Sequence, residues 1–166
     1  MKHEELLREI FIESAVRLIA AGGFEKATTR AIVQDRARLD TVRLNEAHIY
    51  RMFGSKEGLF AAAFEEIDAE LISLIRRNAG DGGCGAFLAA WRYLCENEEK
   101  CRFYARYYYS AYFCGETREK HKAAYGALGD SFCTKRLLAA ALDMAFSVHD
   151  GENITEKDAE AFLRHR

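Results

Sequence analysis

Residues 49–60 read IYRMFGSKEGLF, and this stretch decides the fold. Gly54-Ser55 lies between two helical patterns, because glycine tolerates the closing conformation of a helix and serine caps the start of the next one. Glu57 falls in the first turn of that second helix, where a carboxylate complements the helix dipole. The stretch therefore predicts a sharp turn between two helices.

The helix before this turn is unusually short. Asn45 is the nearest upstream N-cap, so the helix spans only Glu46 to about Met52. A helix of about two turns is not stable alone and must be held by its neighbours. Its spacing turns Ile49 and Phe53 inward, and it turns Ala47, His48 and Arg51 to the other side.

Composition indicates an all-α globular protein. The chain has 166 residues, 49% hydrophobic and 30% charged, with no proline and a net charge of −2. Alternating strand patterns are absent, whereas helix formers are abundant. The near-neutral charge neither favours nor excludes nucleic acid. The charged first turns argue against a secretory signal, and no apolar run is long enough to span a bilayer.

Hydrophobic spacing and capping residues predict a series of helices along the chain. The first ends at Gly22-Gly23, and Phe24 then packs into the core. Thr28 caps the second, whose end is uncertain because no glycine stops it before about Leu39. The predicted helices cover about 3–21, 29–39, 46–52, 55–78, 86–97, 98–113, 116–128, 130–148 and 155–165.

The five cysteines and five histidines suggest no catalytic or metal chemistry. An odd number of cysteines without a CxxC pair indicates reduced thiols in a cytoplasmic protein, with redox sensing as the alternative. No His or Cys pair has the spacing of metal ligands, and no nucleophile pairs with a base. We therefore predict neither an enzyme nor a cofactor.

Residues from about 6 to 75 resemble the DNA-binding domain of the tetracycline-repressor (TetR) family of transcriptional regulators. The resemblance rests on AGGFEKATTRAIV, residues 21–33, followed by the short helix and IYRMFGSKEGLF. It implies a helix-turn-helix domain over residues 1–55, a connecting helix over 55–78, and a helical ligand-binding and dimerisation domain over 79–166. The glycine-rich run at 79–85 is the one clear boundary.

The same resemblance assigns roles to individual residues. Thr28, Thr29 and Arg30 would meet phosphates at the start of the second helix, and Tyr50 and Lys56 would meet them on the third and fourth helices. Bases would be read nearest Glu46, Ala47 and His48. The remaining members of the DNA-binding set are Arg43, Asn45 and Arg51.

One departure from the family pattern lies between the second and third helices. Eighteen positions separate Ile32 from Tyr50, about half a dozen more than the pattern contains, and the turn glycine is missing. The extra residues fall within 36–44. They either lengthen the second helix or form an arginine-bearing loop at the DNA surface, which could add phosphate contacts or obstruct DNA.

The second region resembles the family only in organisation and in loose patterns such as CRFYARYYYSAYF, residues 101–113. Aromatic residues there could line a ligand pocket or simply fill the core. The candidates for the pocket are Trp91, Phe103, Tyr104, Tyr107 and Tyr108. The helices predicted at 130–148 and 155–165 would form a homodimer.

Together these features predict a ligand-responsive regulator. As a repressor, it would bind a near-palindromic site in double-stranded DNA as a homodimer and respond to a small molecule. The alternative is a TetR-like helical interaction protein whose DNA binding is weakened or altered by the insertion.

Overall fold

The computed structural model describes residues 2–35, 44–79, 84–129 and 131–164, and it describes side chains within 3–35, 44–79, 84–129 and 136–163. These stretches form nine α-helices and no strands, as the sequence predicts. None of these helices is long and apolar enough to cross a membrane. In chain order they are α1 (Lys2–Gly22), α2 (Thr29–Gln34), α3 (Glu46–Phe53), α4 (Lys56–Arg77), α5 (Cys84–Glu96), α6 (Glu98–Tyr108), α7 (Gly115–Gly126), α8 (Ser131–His149) and α9 (Glu156–Arg164).

One helix end that the sequence left open is now defined, and one predicted end is wrong. The second helix ends at Gln34, short of the Leu39 to which it could have extended, because Asp35 is extended at φ −68° and ψ 103°. Helix α6 ends at Tyr108 rather than Phe113. Ser110 explains the second difference, since its hydroxyl donates to the carbonyl of Tyr107 and accepts from the backbone N–H of Tyr112. Such side-chain bonds compete with helical ones.

Helix α4 is the centre of the architecture. It packs against α1, α3, α5, α6 and α7. Its apolar stripe, which includes Phe60, Phe64, Ile67 and Leu71, is almost completely buried. Because one continuous cluster of buried side chains extends from α1 to α9, a shift of α4 would be felt in both halves of the chain.

The first helix also reaches the second half of the chain. Helix α1 packs along α6, and α5 packs along α8. Phe24, just after α1, contacts Phe60 and Tyr112 with ring centroids 5.6 and 4.5 Å apart. Phe24 therefore packs into the core, as the sequence predicts.

Candidate nucleic-acid interface

Helix α3 has one buried side and one open side. Ile49 is completely buried, whereas Ala47 and Arg51 are exposed and Tyr50 keeps 52% of its surface accessible. The buried side chain faces the neighbouring helices α2 and α4, with which α3 is in contact. The packing that a helix of this length requires is thus present, and three polar or small side chains remain available to a ligand.

The N-terminus of α3 is capped reciprocally. The Asn45 side-chain oxygen accepts from the backbone N–H of His48 at 3.1 Å, and the backbone N–H of Asn45 donates to Nδ1 of His48 at 3.3 Å. This arrangement is a capping box in which histidine replaces the usual glutamate. The Asn45 N–H gains a partner, and the His48 N–H, which also donates to the Asn45 carbonyl at 3.2 Å, gains a second one, so the first turn of α3 is well defined.

Helices α2 and α3 are joined by a polar contact at their N-terminal ends. The hydroxyl of Thr29 donates to the carboxylate of Glu46. Thr28 caps α2 by accepting from the backbone N–H of Ala31 at 3.1 Å, which leaves its hydroxyl hydrogen free to donate outward. Arg30, one residue further on, is exposed. The N-terminal ends of α2 and α3 therefore meet at one surface, where the Thr29 hydroxyl donates to the Glu46 carboxylate.

The turn between α3 and α4 depends on two glycines. Gly54 has φ +75°, a conformation that side chains other than hydrogen disfavour. A Cβ on Gly58 would collide with the carbonyl oxygen of Phe53. Ser55 caps α4 by accepting from the Gly58 N–H at 2.9 Å, and the close approach of the two chain segments fixes where α4 begins.

Lys56, the first residue of α4, lies beside the same surface. Its Nζ lies 5.7 Å from the ring centroid of Phe60, a cation–π distance. The Lys56 side chain therefore packs on the Phe60 ring, and Lys56 follows Tyr50 by six positions in the sequence. The ammonium group of Lys56 on α4 and the phenol of Tyr50 on α3 can both bind phosphate oxygens.

Part of the predicted interface lies outside the described residues. Arg43 and the rest of 36–43 belong to that part. Asp35, the residue before this part, is held by Arg17, whose Nε and Nη2 donate to Oδ2 of Asp35 at 3.0 and 2.5 Å. Helix α2 itself ends at Gln34, with Asp35 as its C-cap.

An exposed short helix with donors at its N-terminal end and flanking cationic groups can enter the major groove of DNA. The groove is about 12 Å wide and admits one helix. Residues 11–63 match the family model of bacterial regulatory proteins of the tetR family. These residues are a tetR-family domain. The resemblance found in the sequence is confirmed, and it includes the helix-turn-helix of a DNA-binding transcription regulator.

The whole chain has the fold of such a regulator. A crystal structure of a TetR family transcription regulator from Marinobacter aquaeolei VT8 matches it with a TM-score of 0.78 and 16% sequence identity. The match covers 96% of this chain and 93% of that chain. No curated protein is similar enough in sequence to match. The tetR-family domain is thus followed by the helical C-terminal domain that the sequence predicts.

Four of the aromatic residues predicted to line a pocket are buried, Tyr108 is half-buried, and most of the five pack on one another. Tyr104 and Tyr107 each stack on Phe64 with centroids 4.7 Å apart. Phe103 contacts Tyr107 at 6.0 Å, and Tyr108 contacts Tyr104 at 6.1 Å. Trp91, on α5, is buried, but within the described stretches it has no ring contact with these four. The structure therefore brings four of the five candidates together.

A buried polar cluster adjoins these rings, and the sequence analysis did not identify it. Asp68 on α4 accepts from the Tyr104 hydroxyl at 2.6 Å and contacts Nδ1 of His121 on α7 at 3.1 Å. Burial raises the pKa of Tyr104 well above its usual value, and the nearby Tyr125 and the Asp68 charge add to the effect. The phenol is therefore a neutral donor. The sequence does contain one indication of this cluster, because an interval of four residues separates Thr117, His121 and Tyr125 and places them on one side of a helix.

One large cavity at the surface is lined mainly by charged side chains. A groove of about 780 Å³ lies between α1, α4 and the α5–α6 corner. Its lining includes Lys100, Arg17 and the glutamates Glu9, Glu13, Glu66, Glu70, Glu96, Glu98 and Glu99. None of the five aromatic candidates contributes to it, so this groove and the predicted pocket are different places.

Proposed function

We propose that the protein is a ligand-responsive transcriptional repressor that binds a near-palindromic operator in the cytoplasm as a homodimer. The observation that carries this proposal is α3 itself. The helix buries Ile49 and leaves Ala47, Tyr50 and Arg51 open, at the position in a tetR-family domain that faces DNA.

Phosphate contacts would come from groups around α3. Thr28 has a hydroxyl hydrogen to donate, Arg30 is exposed, and Tyr50 and Lys56 flank the Gly54-Ser55 turn. Such contacts fix the orientation of the protein and carry no sequence information. Base reading falls to Glu46, Ala47 and His48 at the N-terminal end of α3, since only that end of a helix in this pose reaches base edges.

The homodimer would form through α8 and α9. In the single chain, α8 leaves Leu137, Ala140 and Met144 only partly buried along its length. Two copies would place two reading helices on one duplex, and linked binding of two weak sites raises affinity by orders of magnitude.

The effector would bind among the aromatic rings of α6 and their neighbours. The hydroxyl of Tyr125, beside Tyr104 and His121, supports this location, because it is buried and has no hydrogen-bond partner within the described part of the chain. The indole N–H of Trp91 on α5 is likewise buried without a partner there, but it lies apart from these rings. A buried donor without a partner is costly, so a ligand that accepts from it gains affinity. Movement of α4, which carries Asp68 and Lys56, would transmit the effect to the DNA-binding surface.

Selection from a randomised duplex pool tests the proposal, together with measurement of the affinity for the most enriched duplex at several salt concentrations. The protein should enrich a near-palindromic sequence and lose affinity steeply as salt rises, with log K falling by about 0.9 per log salt for each phosphate neutralised. Tyr50→Phe and Lys56→Ala should weaken binding to all duplexes alike. Enrichment of no sequence and no salt dependence would instead indicate a helical interaction protein.

A further inference from the structure

The reciprocal cap at the start of α3 fixes the hydrogen-bonding character of one base-reading side chain. Nδ1 of His48 accepts from the backbone N–H of Asn45 at 3.3 Å, so it presents a lone pair to that N–H. A neutral imidazole has one N–H and one acceptor nitrogen. The proton of His48 therefore resides on Nε2.

Nε2 is left as a donor at the opposite edge of the ring. Within the described residues, it has no hydrogen-bond partner, and the side chain is half-buried on a helix whose neighbours Ala47 and Tyr50 are exposed. Because Nδ1 is occupied, His48 can donate to a ligand but cannot accept from it. A backbone N–H fixes His48 as a donor, and a backbone group cannot rotate away as a neighbouring side chain could.

Base edges in the major groove differ in what they offer to such a donor. Guanine presents two adjacent acceptors, N7 and O6, with no donor between them. Adenine places an amino donor beside N7, thymine offers the single acceptor O4 beside its methyl group, and cytosine offers only the amino donor of N4. A donor-only side chain is best matched by guanine and is mismatched with cytosine.

We propose that His48 is a specificity-determining residue that reads a guanine in each half of the operator through Nε2–H. The inference rests on the proposed DNA-binding function and adds to it the base that this position selects. Glu46 is not an alternative reader of the same edge, because a carboxylate only accepts, and the Thr29 hydroxyl already donates to it.

Two variants separate base reading from helix capping. Glutamine and glutamate both serve at this position of a capping box, so His48→Gln and His48→Glu should each preserve the cap and the thermal midpoint. The glutamine amide can cap with its oxygen and offer its N–H₂ to the base. The glutamate can cap but has no donor to offer.

The experiment is selection from a randomised duplex library with sequencing, performed on the full chain and on each variant. The parent and His48→Gln should both enrich one guanine per half-site, by about tenfold over the other bases. His48→Glu should lose that guanine and favour a base with an amino group, while the other positions of the site are unchanged. Equal thermal midpoints of the three proteins would establish that capping is intact.

The outcomes distinguish this inference from the function on which it rests. If the parent enriches a site and His48→Glu enriches the same bases at every position, then His48 does not read guanine although the protein binds DNA. If the enriched site has no guanine in its half-sites, the conclusion is again that His48 does not read guanine although the protein binds DNA. If the parent enriches nothing, then the proposed regulator function fails as well.

Discussion

Nδ1 of His121 lies 3.1 Å from both carboxylate oxygens of Asp68, and both side chains are more than nine-tenths buried. The pair joins α7 to α4, the helix that runs from the DNA-binding domain into the second half of the chain. Four aromatic rings surround the imidazole, with centroids at 4.4 Å for Tyr125, 5.3 Å for Phe113, 5.5 Å for Tyr108 and 6.0 Å for Phe64. Burial of a carboxylate is tolerated here because donors surround it.

Removal of His121 should therefore destabilise the protein strongly. In His121→Ala, the Asp68 carboxylate keeps the Tyr104 hydroxyl as a donor, and a buried charge that loses one partner costs about 3–5 kcal/mol. Urea unfolding followed by circular dichroism measures the change in the free energy of unfolding. Lys120→Ala is the matched control, because this neighbouring residue forms only exposed ion pairs with Glu65 and Glu116. Equal stabilities of the two variants would contradict the buried role of His121.

The α3–α4 turn should tolerate alanine at neither of its glycines, for different reasons. Gly58→Ala places a methyl against the Phe53 carbonyl and must open the turn, at a cost of about 1–3 kcal/mol. Gly54→Ala meets no atom within 4 Å but is strained by φ +75°, at a similar cost of about 1–3 kcal/mol. Thermal unfolding of each variant measures these losses.

Gly126→Ala is the control for both substitutions. An added Cβ there meets nothing within 4 Å, and the residue is the last of helix α7, where alanine is a good helix former. This variant should be as stable as the parent or slightly more stable. A loss at Gly126 equal to the losses at Gly54 and Gly58 would remove the structural explanation of the turn.

Arg17 and Asp35 should be energetically coupled. The guanidinium donates twice to one carboxylate oxygen, and the Asp35 side chain is only 16% exposed, so the pair is partly shielded from water. A double-mutant cycle with Arg17→Ala and Asp35→Ala should give a coupling free energy of about 1 kcal/mol, below the range for a fully buried pair. Strict additivity of the two substitutions would mean that the end of α2 is held by other contacts.

The caps and glycines made the DNA-binding half of the fold predictable from sequence. Asn45, Ser55 and Thr28 all cap the helices assigned to them, and Gly54 ends α3. Each of these signals acts over three or four residues, so a local pattern is sufficient. The open face of α3 followed in the same way, since burial of Ile49 fixes which neighbours remain exposed.

Long-range partners account for what the sequence did not reveal. Asp35 ends α2 while bound to Arg17, eighteen residues away, and Asp68 is buried because Tyr104 and His121 come to it from other helices. Helix α7 is rich in polar residues, yet it buries a stripe formed by Thr117, His121 and Tyr125. A polar residue becomes a core residue only when its partner is present, and sequence periodicity does not identify that partner.

The cysteines should differ widely in their reactivity, which bears on the alternative of redox sensing. Burial raises the pKa of Cys101 to about 12 and that of Cys95 to about 11, in the latter case with help from the Glu96 charge. Only the thiolate reacts, so both should be labelled slowly at pH 8, and their rates should still rise about tenfold per pH unit up to pH 10. Exposed Cys84 and Cys114 should react first. Iodoacetamide labelling with peptide mass spectrometry measures each rate, and fast labelling of Cys101 in the folded protein at pH 8 would restore the redox interpretation.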